Sequence, residues 1–558
     1  MSSTVGRNSL IMASGTIASR VTGQLRTIAL VGALGTTGVA ANAYQAGAQI
    51  PQVIFNLIST GIFNAVLVPQ IVRTLKEKDA EERLSKLITM AMVMLAIITA
   101  IMMAGTPVLT SIYVGSGWTP AQRALANAFT LWCMPQIFFY GLYTIIGQIL
   151  AASGRFAAYA WSSVGANAIS CVGFGAFILL FGNAARQPMD FWTTGRIALT
   201  AGAWTAGVAF QALVLFIPLL RVGLRYRVRF GLRGLGLRSM GKVAAWSIAM
   251  VVVNQLMGIV NSRVTTGAPA AGGDLFGIAG NASYQYAYTL YILPYSVVAA
   301  SIATAMFPRL SKAVGERRVD HARAELSSAL RTNGLVMVFF VAAMMAMPVA
   351  VTKALIPSTS LHGALLIAGP LMGLLIGLVP ISAFLFVQRA FYAWEDGRSP
   401  FLFALVENLV QVALLLVLMQ VLPPQHWTTL VGVSLSLSYI VTFPWVIWML
   451  RRRFGGRMDG RRILGTYLRC LVAGVGAWAV GWLVNPLATR LVGADIASAD
   501  GRLGWGQSLV ICCVVGVAVA AAYAALLWLL RVDEFTSLVR GVTRRLRGSR
   551  RSADGMVS

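Results

Sequence analysis

Acidic side chains are scarce in this sequence, which has 18 Asp and Glu residues in 558 positions against 45 Lys and Arg residues. Carboxylates are common general acids, general bases and ligands of hard metal ions, so an enzyme centre has few groups to draw on. Cysteine and histidine are also rare, with 5 and 3 residues. The cysteines fall in apolar runs and the histidines are far apart. The sequence therefore predicts no catalytic residues, no metal site, no cofactor and no disulfide framework.

Charge of either sign is rare, with 11% charged residues, 57% hydrophobic residues and a mean hydropathy of +0.74. A water-soluble protein of this size does not show such a balance. The apolar residues form runs of about 20 or more, long enough to cross a hydrocarbon core of ~30 Å, and such spans are helices because their backbone groups need internal partners. We expect an all-α integral membrane protein with fourteen spans, at residues 8–34, 40–72, 84–112, 120–150, 157–182, 196–220, 239–263, 278–308, 330–353, 362–393, 399–421, 427–450, 463–487 and 505–530.

Positive charge is concentrated in alternate loops, near residues 73–86, 221–242, 309–323 and 451–462. Lys and Arg mark the cytoplasmic side of a membrane protein, so both termini are predicted to be cytoplasmic. The formal charge of +27 then reflects topology and attraction to anionic membrane lipid. Each surface cation contributes about 1 kcal/mol to that attraction. No nucleic acid is expected as a partner.

The two halves of the chain repeat a pattern of prolines at offsets of 239 to 245 residues, in the pairs Pro51 and Pro294, Pro69 and Pro308, and Pro135 and Pro380. Six spans per repeat give both copies the same orientation, which predicts two parallel six-helix repeats around a central cavity. The predicted domains are an N-terminal lobe at 1–222, a C-terminal lobe at 223–454, two additional transmembrane helices at 455–531 and a basic cytoplasmic tail at 532–558.

Two arginines, Arg20 and Arg26, lie near the middle of the first predicted span. On a helix they share one polar arc with Gln24, opposite Ile17 and Val21. An arginine facing lipid costs ~2.5–3.5 kcal/mol on insertion scales, so we expect both to face the cavity. A guanidinium there grips phosphate oxygens through paired hydrogen bonds. The alternatives are pairing with carboxylates or carbonyls for assembly, and snorkelling to the inner surface.

Motifs along nearly the whole chain resemble one known family. They are SRVTGQLR (19–26), NAYQAGAQIPQ (42–52), GIFNAVLVP (61–69), GQILAASGRF (147–156), LPYSVVAASIATAMFPRLS (293–311) and RAFYAWEDGRSP (389–400). These segments resemble the MurJ (MviN) family, the lipid II flippases of the multidrug/oligosaccharidyl-lipid/polysaccharide exporter superfamily. The resemblance implies two lobes that alternate between inward-open and outward-open shapes, and a groove for the polyprenyl tail on the last two helices.

The resemblance also implies a head-group site. Arg20 and Arg26 correspond to first-helix arginines that line the cavity for the pyrophosphate-sugar head group, and Gln24 lies one turn from Arg20. Asn42 and Gln49 stand where family members carry charged residues on the second helix. The cavity of this chain therefore keeps the first-helix cations and loses other charges.

A second polar group lies mid-membrane, at Glu407 and Asn408 of the eleventh span. Some family members resemble sodium-coupled carriers with ligands on spans seven and eleven, which makes these residues and Asn254 a candidate site for Na⁺ or H⁺. The membrane potential is a further source of coupling. The alternative is an interhelical hydrogen bond from a protonated Glu407. Arg263 repeats the SRVT motif at an offset of 243 residues and is a candidate outer-gate cation.

The resulting expectation is a non-enzymatic carrier of lipid II from the inner to the outer leaflet of the bacterial cytoplasmic membrane. Cell-wall synthesis proteins are candidate partners. One alternative is a transport-deficient paralogue that scaffolds cell-envelope machinery through its basic loops. Another is a flippase or antiporter for a different lipid-linked glycan or a small molecule. A membrane transferase is disfavoured because the predicted outer acids, Asp190, Asp274, Asp495 and Asp500, lie in three separate loops.

Overall fold

A computed structural model describes residues 2–60, 80–221, 226–229, 242–496 and 501–537, together with residues 63, 71 and 74. Helices and short turns make up almost all of this part of the chain, and it contains no β-strand. Part of the predicted second span and its basic loop, and residues 538–558 of the predicted tail, lie outside the described residues.

The first half of the chain supplies ten helices within the described ranges. They are α1 Ser2–Leu34, α2 Gly38–Ile58, α3 Ala80–Ala104, α4 Thr106–Tyr113, α5 Pro120–Cys133, α6 Gln136–Ala152, α7 Phe156–Phe181, α8 Thr194–Ile197, α9 Ala203–Leu213 and α10 Phe216–Arg221. A π-helical turn, Ala198–Gly202, joins α8 to α9. The connection between α1 and α2 depends on glycine, because Gly35 and Gly38 have φ angles of 75° and 85°.

The second half supplies eleven more helices to the described structure. They are α11 Lys242–Ala271, α12 Asn281–Pro294, α13 Ala300–Gly315, α14 Val319–Ala346, α15 Pro348–Leu355, α16 Leu361–Leu375, α17 Leu378–Ala393, α18 Arg398–Val421, α19 Trp427–Arg453, α20 Gly460–Leu491 and α21 Trp505–Leu529. A π-helical turn, Tyr295–Ala299, continues α12 into α13.

Eleven continuous helical stretches in the described residues are long and apolar enough to cross a membrane. The count becomes twelve when α16 and α17, which are bent by 47° relative to each other, form one span. The all-α membrane fold is confirmed, whereas the exact number of fourteen spans stays a prediction. The helix α1 is not among the eleven although it is 33 residues long, because the polar residues around Arg20 and Arg26 lower its hydropathy.

The chain divides into two compact units. The first comprises Met1–Tyr286, Ser358–Leu366 and Leu416–Val431, and the second comprises Ala287–Pro357, Ile367–Leu415 and Gly432–Ser558. The first unit thus includes segments that follow the predicted N-terminal lobe in sequence. The lobe boundaries after residues 222, 454 and 531 stay predictions.

In the first unit, α1 packs along α7, and α2 packs against α5. The core between these helices is aromatic: the buried ring of Tyr44 contacts the edges of Phe129 and Phe174 and stacks on Trp204. Close approach of α1 to α7 requires a glycine, since a Cβ atom on Gly15 would lie 2.8 Å from the Cβ atom of Ala160. This packing fixes one face of α1 against the interior of the unit.

In the second unit, α20 and α21 form an antiparallel pair that packs on α14 and α15. Small residues allow the contact, because a Cβ atom on Gly474 of α20 would lie 2.4 Å from Cγ1 of Val338. Arg331 of α14 forms an ion pair with Glu534, which follows α21, and each of these side chains is only 9% exposed. The ion pair anchors the chain after α21 to the helix bundle of this unit.

Candidate functional site

A polar pocket of about 260 Å³ lies inside the first unit, between α1, α6, α7 and α9. Its lining residues are Ser19, Gly23, Arg26, Tyr140, Ser163, Ala166, Asn167, Ser170, Trp204, Val208 and Gln211. We call this the Arg26 pocket. It contains one cation and no carboxylate among its lining side chains.

Hydrogen bonds between α1 and α7 set the direction of Arg26. The hydroxyl of Ser163 donates to that of Ser19 over 2.9 Å, and the amide of Asn167 donates to the Ser19 carbonyl over 3.2 Å and to the Thr22 hydroxyl over 3.1 Å. Ser19, Thr22 and Arg26 occupy one side of α1, so these bonds turn Arg26 toward the interior of the unit. All three residues are half-buried, so this side of α1 packs at least partly against protein.

The guanidinium of Arg26 lies over an aromatic ring. Its Cζ atom is 4.5 Å from the ring centroid of Trp204, within the range of a cation–π contact. Trp204 is itself held by stacking on Tyr44, with ring centroids 5.9 Å apart. The indole Nε1–H of Trp204 is buried and has no hydrogen-bond partner within the described part of the chain. An arginine and an unsatisfied N–H donor in a pocket without carboxylates provide chemistry that suits an anionic group.

Arg20 does not line this pocket. Six residues separate it from Arg26, which rotates the two side chains about 120° apart around the helix. The side chain of Arg20 is exposed, as are the neighbouring apolar residues Ile17, Val21 and Leu25. Gln24 is half-buried and does not line the pocket either. The polar arc predicted from the sequence is thus divided between a buried side and an exposed side.

Asn42 and Gln49, the candidate head-group residues on α2, also lie outside the Arg26 pocket. Asn42 is buried and its amide donates to the Gly38 carbonyl over 2.8 Å. Its side-chain oxygen accepts from the backbone N–H of Ala282 over 2.8 Å. Asn42 therefore joins the start of α2 to the start of α12, whereas Gln49 is half-buried further along α2.

A second set of contacts in the first unit connects α11 to the end of α4 and the loop that follows it. Arg263 donates to the carbonyls of Ser111 and Ile112 over 3.0 and 3.2 Å. Thr266 accepts from the backbone N–H of Gly115 through its hydroxyl and from the indole of Trp118 through its carbonyl, each over 2.9 Å. We call these contacts the α4–α11 latch. The predicted outer-gate residue Arg263 is thus exposed and holds two carbonyls at the latch.

Glycine makes the latch possible. The backbones of Gly115 and Gly267 approach so closely that a Cβ atom on Gly115 would lie 2.8 Å from the Cα atom of Gly267. The latch therefore depends on direct backbone packing as well as on hydrogen bonds.

Glu407 and Asn408 lie together on α18 and are buried in the second unit. One carboxylate oxygen of Glu407 accepts from the Ser438 hydroxyl of α19 over 2.6 Å, and the other accepts from the Asn408 amide over 3.1 Å. Gln411 is buried one turn further along α18. Asn254, the third predicted member of this group, is exposed on α11 in the first unit. In the described residues, no group of three or more His, Cys, Asp and Glu side chains has the arrangement of a metal site.

An apolar groove of about 240 Å³ lies on the second unit between α14 and α20. Its lining residues are Val338, Val341, Ala342, Met345, Leu471, Gly474, Val475 and Trp478. We call this the α14–α20 groove. The groove has no charged or hydrogen-bonding side chain except the indole of Trp478, so it suits a hydrocarbon chain.

The sequence reasoning missed Trp204, Asn167 and Gln211 as neighbours of Arg26. The sequence does contain a pattern of polar residues that indicates them. Ser163, Asn167 and Ser170 follow each other at i, i+4 and i+7 on α7, and Trp204 and Gln211 are seven residues apart on α9. Both spacings place polar groups on one side of a helix, which marks a side that faces protein or water and not lipid.

Known proteins resemble this chain in both sequence and fold. A family model described as lipid II flippase MurJ matches residues 30–492. A probable lipid II flippase MurJ of Rhizobium meliloti is 23% identical over 530 residues, which cover 91% of this chain and 91% of that protein. A probable lipid II flippase MurJ of Buchnera aphidicola is 24% identical over 323 residues, which cover 57% of this chain and 58% of that protein.

Solved structures of two kinds share the fold. A structure of lipid II flippase MurJ in an inward closed conformation matches with a TM-score of 0.68 at 17% identity, over 93% of this chain and 99% of that one. An inward-facing multidrug resistance MATE family transporter of the MOP superfamily matches with a TM-score of 0.59 at 16% identity, over 79% of this chain and 98% of that one. At these identities, the match establishes a shared fold.

Proposed function

This chain belongs to the MurJ family, and from that premise we propose that it is a lipid II flippase, which moves a polyprenyl-pyrophosphate-linked peptidoglycan precursor from the inner to the outer leaflet. The multi-pass membrane helix bundle and the fold that it shares with MurJ and MATE transporters support a carrier. The observation that carries the proposal is the Arg26 pocket, where a half-buried cation faces donors and no carboxylate.

The substrate's pyrophosphate is the group we assign to Arg26. A guanidinium offers two parallel N–H donors to phosphate oxygens, and the Trp204 ring holds the guanidinium in place without using those donors. The pocket, at about 260 Å³, is smaller than most pockets that enclose a whole drug-sized ligand. We therefore propose that only the anionic part of the head group enters, and that the sugars and peptide stay outside the pocket. Arg20, on the exposed side of α1, would meet them there.

The polyprenyl tail needs a different environment. The α14–α20 groove presents aliphatic side chains and Trp478 on the outside of the second unit, where the family resemblance implies a tail groove. A hydrocarbon tail in this groove stays at membrane depth while the head group crosses. Gly474 at the base of the groove keeps space that a larger side chain would fill.

Alternating access is the mechanism we propose, with the α4–α11 latch as a contact that must break and re-form. The hydroxyl of Ser262 also donates to the Tyr113 carbonyl, over 3.1 Å, and belongs to the latch. The latch therefore joins residues 111–118 to residues 262–267, which belong to different sequence repeats. The hydrogen bond from Ala282 to Asn42 joins the same two repeats. Opening the outer side separates the repeats, so these hydrogen bonds belong to one state of the cycle. The match to an inward closed and an inward-facing structure supports two-state behaviour of this fold.

Ion coupling through Glu407 is a further part of the proposal. The carboxylate is buried and has two hydrogen-bond donors, so a proton or a sodium ion would complete its neutralisation. The bond from Ser438 also joins α18 to α19, which fits the purely structural alternative. Transport that depends on a proton or sodium gradient in the wild type and loses that dependence in Glu407→Gln distinguishes coupling from a structural role.

Externalisation of lipid II tests the whole proposal. Cells depleted of their own lipid II flippase and expressing this chain should expose lipid II to an external probe. Arg26→Gln should abolish most of that exposure. Arg389→Gln is a matched control, because Arg389 is also half-buried in a spanning helix and its Cζ atom lies 5.3 Å from the ring centroid of Phe307. Normal externalisation in Arg26→Gln would contradict the head-group assignment, and no externalisation by the wild type would contradict the flippase function.

A further inference from the structure

An arginine-lined cavity lies in the second unit, where α19 ends and α20 begins. It has a volume of about 660 Å³ and is lined by Ile447, Arg451, Met458, Asp459, Gly460, Arg461 and Arg462. We call it the arginine pocket. It is far along the chain from Arg26 and contributes nothing to the head-group site described above.

The charge of the arginine pocket is not balanced by protein. Three arginines and one aspartate leave a net charge of +2 among its lining residues. Arg451 donates its Nε–H to the Gly456 carbonyl, which leaves its terminal N–H groups available. Two other arginines of the second unit are paired with acids that do not line the pocket. Asp396 pairs with Arg453, and Glu534 pairs with Arg331.

An apolar stripe begins directly below the pocket. Leu464, Leu468, Leu471 and Val475 follow Arg461 at steps of three or four residues on α20, which puts them on one side of that helix. Their exposed fractions are 60%, 53%, 45% and 63%. Ten residues of helix from Arg461 to Leu471 rise ~15 Å, which is the hydrocarbon depth of about one leaflet.

An aromatic residue marks the level of the interface at the same end of α19. Trp448 is 48% exposed, and the guanidinium of Arg452 lies 3.7 Å from the centroid of its ring. Trp is typical of the boundary between hydrocarbon and head groups. The arginine pocket therefore lies at head-group level, and the concentration of arginine in residues 451–462 indicates the cytoplasmic leaflet.

We propose that the arginine pocket binds the phosphodiester of an anionic glycerophospholipid of the inner leaflet, whose acyl chains lie along the Leu464–Val475 stripe. A soluble phosphate would use the arginines alone and would leave the stripe without a role. A neutral lipid would use the stripe and leave the cations unbalanced. An anionic phospholipid satisfies both features. Leu471 and Val475 at the far end of the stripe also line the α14–α20 groove, so the acyl chains of this lipid and the polyprenyl tail would share that surface. The arginine pocket itself takes no part in the proposed head-group site, so binding at the pocket is tested separately from the flippase function.

Titration of the purified full-length chain in detergent micelles with dioleoyl-phosphatidylglycerol tests the site, with bound lipid counted by native mass spectrometry and stability followed by thermal unfolding. The variant Arg451→Gln/Arg461→Gln/Arg462→Gln should bind this lipid roughly 100-fold or more weakly, because it loses three charge-assisted contacts to the phosphodiester. The control variant Arg309→Gln/Lys312→Gln/Arg317→Gln removes the same charge from another basic loop and should bind as the wild type does. Single Arg461→Gln should weaken binding about tenfold through the loss of one such contact, and it serves if the triple variant does not fold.

Three further ligands complete the test. Dioleoyl-phosphatidylcholine and inorganic phosphate should neither stabilise the wild type specifically nor displace phosphatidylglycerol. Undecaprenyl pyrophosphate has related anionic chemistry, so its binding here in preference to phosphatidylglycerol would overturn the proposal in favour of a substrate-loading site. Equal binding of phosphatidylglycerol by the wild type and the pocket variants, or equal stabilisation by inorganic phosphate, would overturn it outright.

Discussion

Adding one carbon atom at Gly115 should open the α4–α11 latch. In Gly115→Ala, the new Cβ atom would lie 2.8 Å from Cα and 3.0 Å from the backbone N of Gly267, and 3.3 Å from the carbonyl oxygen of Arg263. These neighbours are backbone atoms that cannot rotate away. Overpacking of this kind costs about 1–3 kcal/mol in a well-packed interior. The cost applies only while the latch is closed, so the equilibrium between closed and open states should shift by about 5- to 160-fold toward open.

Thiol accessibility in purified protein reads out this shift. Ser262 on α11 is 2% exposed and its hydroxyl donates to the Tyr113 carbonyl at the end of α4 over 3.1 Å, so Ser262→Cys reports whether α11 separates from α4. Modification of this cysteine by a hydrophilic maleimide should be slow in the latched background and faster by the factor above in Gly115→Ala. Gly195→Ala is the control, because no atom lies within 4 Å of its added Cβ atom. Equal modification rates in Gly115→Ala and Gly195→Ala, with both proteins folded, would refute the latch as a closed-state contact.

Three other perturbations have definite expected results. Arg26→Gln should weaken binding of undecaprenyl pyrophosphate by about 10- to 160-fold in equilibrium titration, because a charged hydrogen bond contributes about 1.5–3 kcal/mol. The affinity of Arg26→Lys should lie between that of Arg26→Gln and that of the wild type. Glu534→Gln leaves Arg331 buried without its carboxylate and should destabilise the fold by about 3–5 kcal/mol, whereas adding Arg331→Met should recover part of that loss in thermal unfolding. Burial raises the pKa of Asp396, but hydrogen bonds from Ser399 and the charge and hydrogen bond of Arg453 outweigh it, so the pKa is lowered from 3.8. The stability that this carboxylate contributes is therefore present above about pH 4 and is lost as the pH falls below that value. Asp396→Asn should flatten this part of the profile of thermal stability against pH. An unchanged profile would contradict the assignment.

Hydropathy was sufficient to predict where most helices run, because long apolar stretches between charged loops leave few alternatives. The predicted span 399–421 corresponds to α18 at Arg398–Val421, and the predicted span 505–530 corresponds to α21 at Trp505–Leu529. Breaks within spans were not predicted. The span at 362–393 is two helices that meet near Gly377, and Pro380 there lacks the N–H that would continue the first helix. Pro107 and Pro135 stand at similar breaks, between α3 and α4 and between α5 and α6.

The surroundings of the arginines could be predicted only in part. Membrane energetics predict that Arg26 lies on a side of α1 that faces protein, since lipid exposure is costly, and Arg26 lines a pocket between α1, α6, α7 and α9. The identity of its neighbours depends on how α1, α7 and α9 rotate against each other, and one sequence contains no record of that rotation. The polar arc of roughly 160° was also too wide to separate Arg20 from Arg26, although they point about 120° apart on an ideal helix. The hydrogen bond from Ser163 to Ser19 shows which side of α1 packs on α7. Arg26 lies toward that side and lines the pocket, whereas Arg20 is exposed.

The scarcity of acids has a consequence for where ligands bind. Among the described residues, buried or half-buried carboxylates are used at structural junctions: Glu534 holds the chain after α21, Asp396 holds the start of α18, and Glu407 joins α18 to α19. Few acids remain to neutralise the other cations. The Arg26 pocket has no carboxylate in its lining, and in the cavity between α19 and α20 three arginines face the single Asp459. A cation that the protein leaves unpaired in a cavity is best stabilised by an anion from outside, and lipid phosphates are concentrated at a membrane surface. The same imbalance of charge thus supports a transported lipid pyrophosphate at one site and a bound phospholipid at the other.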